Sequence, residues 1–267
     1  MEVILKSDPA AVSKEAARVF ESQIELKLNS VLGLATGSTP LGLYRELGAL
    51  CHANLLDVSR VTTFNLDEYV GLAPSHPQSY AHFMREHFFK SIPVPAASVH
   101  IPNGLAKDIS KHCEEYEAAI RRAGGIDLQL LGLGGDGHIG FNEPSSSLAS
   151  RTRLKTLTAR TIADNARFFS SPAEVPRHVI TMGVGTIMES RHCLVLATGE
   201  GKAAAVAAMV EGPITASCPA SILQMHPRCT LIIDEAAAGK LQRTDYYRWV
   251  YDNKPHWQQV KGMMSHE

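Results

Sequence analysis

The chain has 267 residues, of which 45% are hydrophobic and 20% charged, and its formal net charge is -1. These values are typical of a globular α/β protein with a sizeable core, and a near-neutral charge gives no electrostatic reason to expect a nucleic-acid partner. No apolar run approaches the about 18 residues that a membrane-spanning helix needs, and the acidic second residue argues against a signal peptide. We therefore expect neither a nucleic acid nor a membrane as partner.

Cysteine and histidine spacing argues against disulfides and metal sites. The five cysteines, at positions 51, 113, 193, 218 and 229, are scattered and show no C-x-x-C spacing. This pattern predicts free thiols in a reducing cytoplasm. The 12 histidines include no H-E-x-x-H or comparable ligand spacing, so we expect no metal.

The first half of the chain reads as alternating strands and helices. A short strand at 2–6 is followed by a helix that Asp8 caps and Pro9 opens. A second buried strand at 31–35 leads into Thr36-Gly37-Ser38-Thr39-Pro40 and another helical pattern. A helix N-terminus with a glycine and three hydroxyls is suited to binding a phosphate, and the missing Walker lysine argues against a nucleoside triphosphate.

A third strand, at 60–66, ends at Asp67-Glu68-Tyr69. Acidic residues after a strand are usually turn formers, but this pair would lie at the same sheet edge as the T-G-S-T-P loop. Neighbouring side chains of an extended segment point to opposite sides, so only one of the two can face a shared cleft. We select Asp67.

The most informative stretch is 128–144, LQLLGLGGDGHIGFNEP. It begins as a buried strand and breaks into glycines that surround Asp136, His138 and Glu143, three groups able to transfer protons. Its literal G-x-G-x-x-G is not a dinucleotide fingerprint, because Gly140 and Pro144 follow too closely for a helix and no acidic residue lies between Glu143 and Asp164. The stretch therefore predicts an active-site loop at the carboxyl edge of an open sheet.

The second half adds three less specific features. A basic stretch at 151–156 is either a solvated cationic face, a second anion site or a subunit contact. Residues 156–178 form an irregular excursion that predicts a lid. Lys202 follows a strand and glycines in the first helical turn. It is either a flexible exposed lysine or one whose unfavourable interaction with the helix dipole is offset by an anionic ligand. The tail at 245–267 receives no assignment, and the whole chain, 1–267, is predicted to form one domain.

Four motifs resemble those of glucosamine-6-phosphate deaminase, in the same order and spacing from the first strand to about Asp234. They are T-G-S-T-P at 36–40, F-N-L-D-E-Y-V-G at 64–71, G-D-G-H-I-G-F-N-E-P at 135–144 and S-R-T-R at 150–153. The resemblance implies an α/β fold of three layers, a modified Rossmann-like and mostly parallel sheet with helices on both faces and a helical lid. It also implies conversion of glucosamine 6-phosphate and water to fructose 6-phosphate and ammonia, without a cofactor.

The resemblance also assigns roles to residues. Asp67 would take the C2 proton, and Asp136, His138 and Glu143 would form a relay that opens the sugar ring. The phosphate would be held by residues of three segments: Thr36, Gly37, Ser38, Thr39, Arg167 and Lys202. In hexameric members, positions like Ser146, Arg153 and Lys155 bind N-acetylglucosamine 6-phosphate between subunits. The tail that helps to build that assembly is not clearly matched, so a homo-oligomer and its allosteric control stay open.

Two alternatives remain. A 6-phosphogluconolactonase-like hydrolase would use a related sheet but would need no carbon base. A non-catalytic sugar-phosphate-sensing module would have no use for Asp67, Asp136, His138 and Glu143, and no DNA-binding helix pair accompanies the chain.

Overall fold

The computed structural model describes residues 1–169 and 171–255 of the 267. The described strands are β1 (Glu2–Lys6), β2 (Val31–Leu34), β3 (Thr62–Asn65), β4 (Asp67–Tyr69), β5 (Val99–His100), β6 (Leu128–Gly132), β7 (Arg153–Thr156), β8 (His178–Thr181), β9 (Cys193–Ala197) and β10 (Cys229–Asp234). The described α-helices are α1 (Pro9–Leu26), α2 (Leu41–His52), α3 (Tyr80–Met84), α4 (Ile109–Arg122), α5 (Ala159–Asn165), α6 (Val184–Met188), α7 (Ala203–Val210), α8 (Glu235–Ala238) and α9 (Thr244–Asp252). Asp8 and Asp108 cap α1 and α4 by accepting the N–H of Ala11 and Lys111.

Seven strands form a parallel sheet in the order β1-β10-β9-β6-β2-β3-β5. From β1 through β2 and β3 to β5 the chain moves toward one edge, and from β6 through β9 to β10 it moves back. Because crossovers between parallel strands are right-handed, the two directions place their helices on opposite faces of the sheet. The direction reverses between β2 and β6, which are hydrogen-bonded neighbours. Open α/β sheets bind their ligands outside the carboxyl ends of strands at such a point. The α/β fold expected from the sequence is confirmed.

A second, antiparallel sheet of three short strands, β4-β8-β7, lies after β3. Asp67, Thr181 and Arg153 are paired in one row across it. The sequence predicts that the third strand ends at Asp67, and it predicts no strand for the basic stretch at 151–156. The structure instead makes part of that stretch β7, in which half-buried and exposed residues alternate. A strand with one face on a core and one in solvent is expected to show this alternation.

Two hydrophobic cores support these sheets. The large core packs the seven-stranded sheet against its helices, with Phe20, Tyr44 and Phe64 among its fully buried side chains. A small core is built from Tyr69, Phe141, Leu157 and Val179. Phe169 packs on this small core, so the segment predicted as a lid is anchored beside β4.

The lid and the tail are only partly regular. Residues 156–178 contain α5 and two 3-10 turns, Ala166–Phe168 and Pro172–Glu174, and Ser170 lies outside the described residues. The tail begins with α9, and 256–267 lie outside the described residues, so the one-domain organisation over 1–267 stays a prediction. All five cysteines lie in the described part and are free. Within 1–169 and 171–255, no helix combines the length and the apolar character that crossing a membrane requires.

Candidate active site

The predicted site residues gather around a cavity of about 780 Å³ at the carboxyl ends of β2, β3 and β6. From the loop after β2 come Thr36, Gly37, Ser38 and Thr39, and from the start of β4 comes Asp67. The loop after β6 contributes His138, and Arg167 and Lys202 close the lining. The sheet thus brings together an anion-binding loop, two cationic side chains, a carboxyl group and an imidazole. Asp136 and Glu143 are not part of this lining.

Asp67 is a buried carboxyl group, with 6% of its surface exposed. Burial, reinforced by the neighbouring charge of Glu68, raises the pKa of Asp67 to about 8. An ideal Cβ at Gly140 would lie 3.5 Å from Asp67 Oδ2, so the loop that carries His138 passes directly beside this carboxyl. A carboxylate with a pKa near neutrality is a far stronger base than an ordinary aspartate, which is the property that abstraction of a carbon-bound proton requires.

Glu68 points elsewhere. Its carboxylate accepts the backbone N–H groups of Tyr69 at 2.8 Å and of Tyr80 and Ala81 at 2.9 Å. Burial still raises the pKa of Glu68 despite these three bonds. The side chains of Asp67 and Glu68 therefore point to opposite sides, as expected for neighbours in an extended segment. Glu68 joins β4 to α3, and Asp67 faces the cavity.

His138 and Asp136 form a pair. His138 Nδ1 lies 2.6 Å from Asp136 Oδ1. The hydrogen bond from His138 lowers the pKa of Asp136 to about 2, so this carboxylate is ionised and can only accept. Nδ1 therefore carries a hydrogen, which leaves Nε2 as the ring atom that can exchange a proton with a substrate. Gly137, with φ of +83°, provides the bend that lets residues two apart meet.

Glu143 is not part of this pair. It is 2% exposed, and its carboxylate accepts from Thr158 and Thr161 of the lid. Within 1–169 and 171–255, no hydrogen bond joins Glu143 to His138 or Asp136. The structure therefore brings together two members of the expected three-residue relay and holds the third against the lid.

The residues of the candidate second anion site lie outside the cavity lining. Arg153 is half-buried on β7 and donates from Nη1 to Asn142 Oδ1 at 2.9 Å and to the carbonyl of Arg151 at 3.2 Å. Ser146 is buried, and its Oγ has no hydrogen-bond partner in the described part of the chain. Lys155 is half-buried and lies on the same face of β7 as Arg153, two positions along the strand.

Sequence reasoning missed an aromatic lining next to Asp67. Tyr80 and Phe141 are stacked with ring centroids 6.0 Å apart, and Tyr69 lies 5.0 Å from Tyr80 and 5.9 Å from Phe169. Three of these rings come from segments that the sequence marks only as a turn, a helix start and a lid. No local signal reports that they meet, since the small core that joins them forms only when β4, the histidine loop and the lid pack together.

The hydrogen bond that supports the T-G-S-T-P loop was also not predicted from the sequence. The Tyr44 hydroxyl, on the fully buried face of α2, donates to the carbonyl of Ala35 at 2.5 Å. This bond fixes the last residue before Thr36. Tyr44 has the helical spacing of a core residue, so the sequence predicts its burial but not its contact.

Gly137 supports a prediction about the histidine loop. A Cβ at Gly137 would lie 2.4 Å from Cys218 Sγ, in addition to the strain of a left-handed φ. We expect Gly137→Ala to lower the free energy of unfolding by about 2–6 kcal/mol, the sum of backbone strain and overpacking, and to reduce turnover because His138 is displaced. Urea unfolding and steady-state kinetics measure both effects.

Gly124 is the matched control, because it has a similar φ of +88° and open space around its would-be Cβ. Gly124→Ala should show only the backbone strain, about 1–3 kcal/mol, with unchanged turnover. Equal destabilisation by the two substitutions would show that Cys218 does not restrict residue 137.

A family model described as glucosamine-6-phosphate isomerases/6-phosphogluconolactonase matches residues 7–232. A glucosamine-6-phosphate deaminase of Pseudarthrobacter chlorophenolicus is 55% identical over 260 residues, covering 97% of this chain and all of the relative. The deaminase of Cellvibrio japonicus is 54% identical over 250 residues, covering 94% and 95% of the two chains.

Solved structures agree. A structure described as a monomeric glucosamine-6-phosphate deaminase superposes with a TM-score of 0.88 at 43% identity, covering 90% of this chain and 100% of its own. The 6-phosphogluconolactonase of Trypanosoma brucei superposes with a TM-score of 0.71 at 22% identity, covering 90% and 98%, which shows a shared fold alone. By sequence and by fold, this chain belongs to the glucosamine-6-phosphate isomerase/6-phosphogluconolactonase family.

Proposed function

We propose that this protein is a glucosamine-6-phosphate deaminase, which converts D-glucosamine 6-phosphate and water to D-fructose 6-phosphate and ammonia. The observation that carries the proposal is the buried carboxyl of Asp67, with its raised pKa, in the same cavity as the His138 ring and the T-G-S-T-P loop. This reaction requires a base that removes a proton from a carbon atom, whereas hydrolysis of a lactone requires no such base. High identity to deaminases over nearly the full chain supports the same choice.

Ring opening is the first step. The pyranose must lose the proton on O1 and gain one on O5, and an imidazole can both accept and donate a proton. His138 Nε2 is the atom available for them, because Asp136 holds the hydrogen on Nδ1. The product is the open-chain aldehyde, whose carbonyl acidifies the C2 hydrogen.

Isomerisation and deamination follow. Asp67 takes the C2 proton while O1 gains a proton from water, which gives an enolamine, and Asp67 then returns its proton to C1, which leaves an iminium cation at C2. Water adds to that carbon, and ammonia leaves as the ketone forms. Every proton in this sequence moves between substrate, water and the side chains of Asp67 and His138, so the scheme invokes no cofactor.

The phosphate orients the sugar. The loop 36–40 offers backbone N–H groups and hydroxyls, while Arg167 and Lys202 add charge at the cavity wall. Contacts to a part of the substrate that does not react supply binding energy, which can hold C1 and C2 over Asp67.

We expect Lys202→Met to raise KM for glucosamine 6-phosphate about 10- to 100-fold with a smaller change in kcat. A charge-assisted hydrogen bond to a phosphate contributes about 1.5–3 kcal/mol, which corresponds to this range. Lys111→Met is the matched control, since Lys111 is exposed on α4, 3.9 Å from Glu115 and outside the cavity lining. An unchanged KM in the Lys202 variant would remove this lysine from the phosphate site.

One assay tests the proposed function. Purified protein is given glucosamine 6-phosphate, and ammonia and fructose 6-phosphate are measured in separate coupled reactions. Equimolar release of both supports the proposal. Hydrolysis of 6-phosphogluconolactone instead would identify a lactonase, and saturable sugar-phosphate binding without turnover would indicate a sensing module.

Three finer properties belong to the same proposal. A cytoplasmic location is supported by the free thiols, and fractionation of cells tests it. A homo-oligomer stays a prediction, and light scattering tests it. Residues Ser146, Arg153 and Lys155 are proposed as an activator site, which addition of N-acetylglucosamine 6-phosphate to the deaminase assay tests.

A further inference from the structure

The contacts of Glu143 join the histidine loop to the lid. Glu143 Oε1 accepts from Thr158 Oγ1 at 2.8 Å and also from Thr161 Oγ1. The backbone N–H of Thr158 lies 3.2 Å from Oε2 and 3.3 Å from Oε1. Thr158 is the N-cap of α5, and its own Oγ1 accepts the N–H of Thr161 at 3.2 Å. All of these donors to Glu143 belong to the first turn of the lid.

Glu143 has little freedom on its other side. Asn142, the residue before it, is fully buried and donates to the carbonyls of Ile139 at 2.9 Å and Met182 at 2.8 Å. The N–H of Phe141 donates to Thr181 Oγ1 at 3.1 Å. The backbone between His138 and Glu143 is thus fixed to β8, and the direction of the Glu143 carboxylate is set by the lid threonines.

The lid in turn carries residues of the cavity. Thr161, Asn165, Arg167 and Phe169 all line it. A buried carboxyl group that loses its hydrogen bonds pays the full cost of desolvation, so departure of the lid is costly while Glu143 stays buried. Either Glu143 moves with the lid, or it becomes hydrated where it stands. Lid position and Glu143 environment therefore change together.

We propose that Thr161, assisted by Thr158, is a positioning residue that fixes the Glu143 carboxylate and thereby joins closure of the lid to the proton-transfer loop of His138. The proposal rests on the deaminase function proposed above. Thr161 affects the reaction only through Glu143, because its hydroxyl donates a hydrogen bond to the Glu143 carboxylate.

A double-mutant cycle tests this role. Thr161→Val removes the hydroxyl at nearly constant shape and should lower kcat/KM for glucosamine 6-phosphate about tenfold. In a Glu143→Gln background the same change should cost less than twofold, because the partner is already altered. Thr161→Ser, which keeps a hydroxyl, should stay within about twofold of the starting protein. Equal losses from Thr161→Val in both backgrounds would overturn the proposal.

The matched control is another buried carboxylate–threonine pair. Thr186 Oγ1 donates to Glu117 Oε1 at 2.6 Å, and both residues are buried and outside the cavity lining. Thr186→Val should lower the melting temperature and leave kcat and KM within about twofold. A comparable kinetic loss in this variant would assign the Thr161 effect to general destabilisation and overturn the proposal.

Limited proteolysis tests the lid connection without any turnover. Arg160 and Arg167 are exposed trypsin sites on the lid. Thr161→Val should be cut there at least about fivefold faster than the starting protein, followed by intact mass, while Thr186→Val should be cut at the starting rate. An unchanged rate in Thr161→Val would overturn the proposal. A starting protein that releases no ammonia would instead reject the proposed function and leave this proteolysis result to be judged separately.

Discussion

Replacing Asp67 with asparagine should lower kcat about 10²- to 10⁴-fold and leave KM within about threefold. This range is typical for loss of a general base, and the amide keeps the shape of the carboxyl that lines the cavity. The variant should also stop exchanging the C2 proton of the sugar with solvent. Proton NMR in D₂O measures exchange, and the coupled ammonia assay measures turnover. Near-normal exchange would exclude Asp67 as the carbon base.

The pH dependence of the unaltered protein tests the same residue. Only the ionised form of Asp67 can act as a base, so kcat/KM should rise with pH up to about 8, the pKa that burial gives this group. Stability should change in the opposite direction. A folded-state pKa raised from 3.8 means that the folded protein binds more protons than the unfolded chain between about pH 4 and pH 8.

The contribution of Asp67 to stability is therefore fully present below about pH 4 and is lost as pH rises through about 8. The free energy of unfolding should fall across this interval more steeply in the unaltered protein than in Asp67→Asn, by up to about 1.4 kcal/mol per pH unit. Urea unfolding at several pH values measures the two slopes. Parallel slopes would show that Asp67 is already ionised in the folded protein near neutrality.

Replacing His138 with glutamine should lower kcat about 10²- to 10³-fold, because the pyranose would then open without an imidazole to carry the proton from O1 to O5. KM should change little, since the phosphate loop at 36–40 is a separate part of the cavity. Asp136→Asn should have a smaller effect, because the ring remains and loses only the carboxylate that holds its tautomer. Steady-state kinetics compares kcat of the unaltered protein, Asp136→Asn and His138→Gln, which should decrease in that order.

His112→Gln is the control for the His138 prediction. His112 is half-buried on α4, outside the cavity lining, and its Nε2 accepts the N–H of Asn103 at 2.8 Å. Its replacement should leave kcat unchanged. A His138→Gln variant that retained more than a tenth of the starting kcat would place the proton transfers of ring opening on another group.

The sequence predicts the large sheet well, because the signals that define it are local. Strand 193–197 is an uninterrupted buried run, and the structure bounds β9 at the same residues. The sequence predicts that Asp8 caps the first helix, and its side chain does so by accepting the N–H of Ala11. Convergence of the site loops follows from parallel strands, since the carboxyl ends of β2, β3 and β6 meet at one edge.

The small sheet could not be predicted in the same way. Its strands have three or four residues, and its pairing joins Asp67, Thr181 and Arg153 from distant parts of the chain. No local pattern reports such contacts. The orientation of the Glu143 side chain could not be predicted for the same reason, because it depends on where the lid packs. The resemblance placed Glu143 with His138, whereas the hydrogen bonds of this structure place it with Thr158 and Thr161.

Helix α9 borders β1, an outer strand of the seven-stranded sheet. Lys254 pairs with Glu2, and Lys6 donates to the Tyr251 hydroxyl at 3.3 Å, so both ends of β1 contact α9 or the residues just after it. An outer strand with nothing beside it offers its unpaired backbone groups to a second polypeptide. Truncating the chain before Thr244 would therefore expose the edge of β1. We expect the truncated protein to aggregate during expression rather than to catalyse a different reaction.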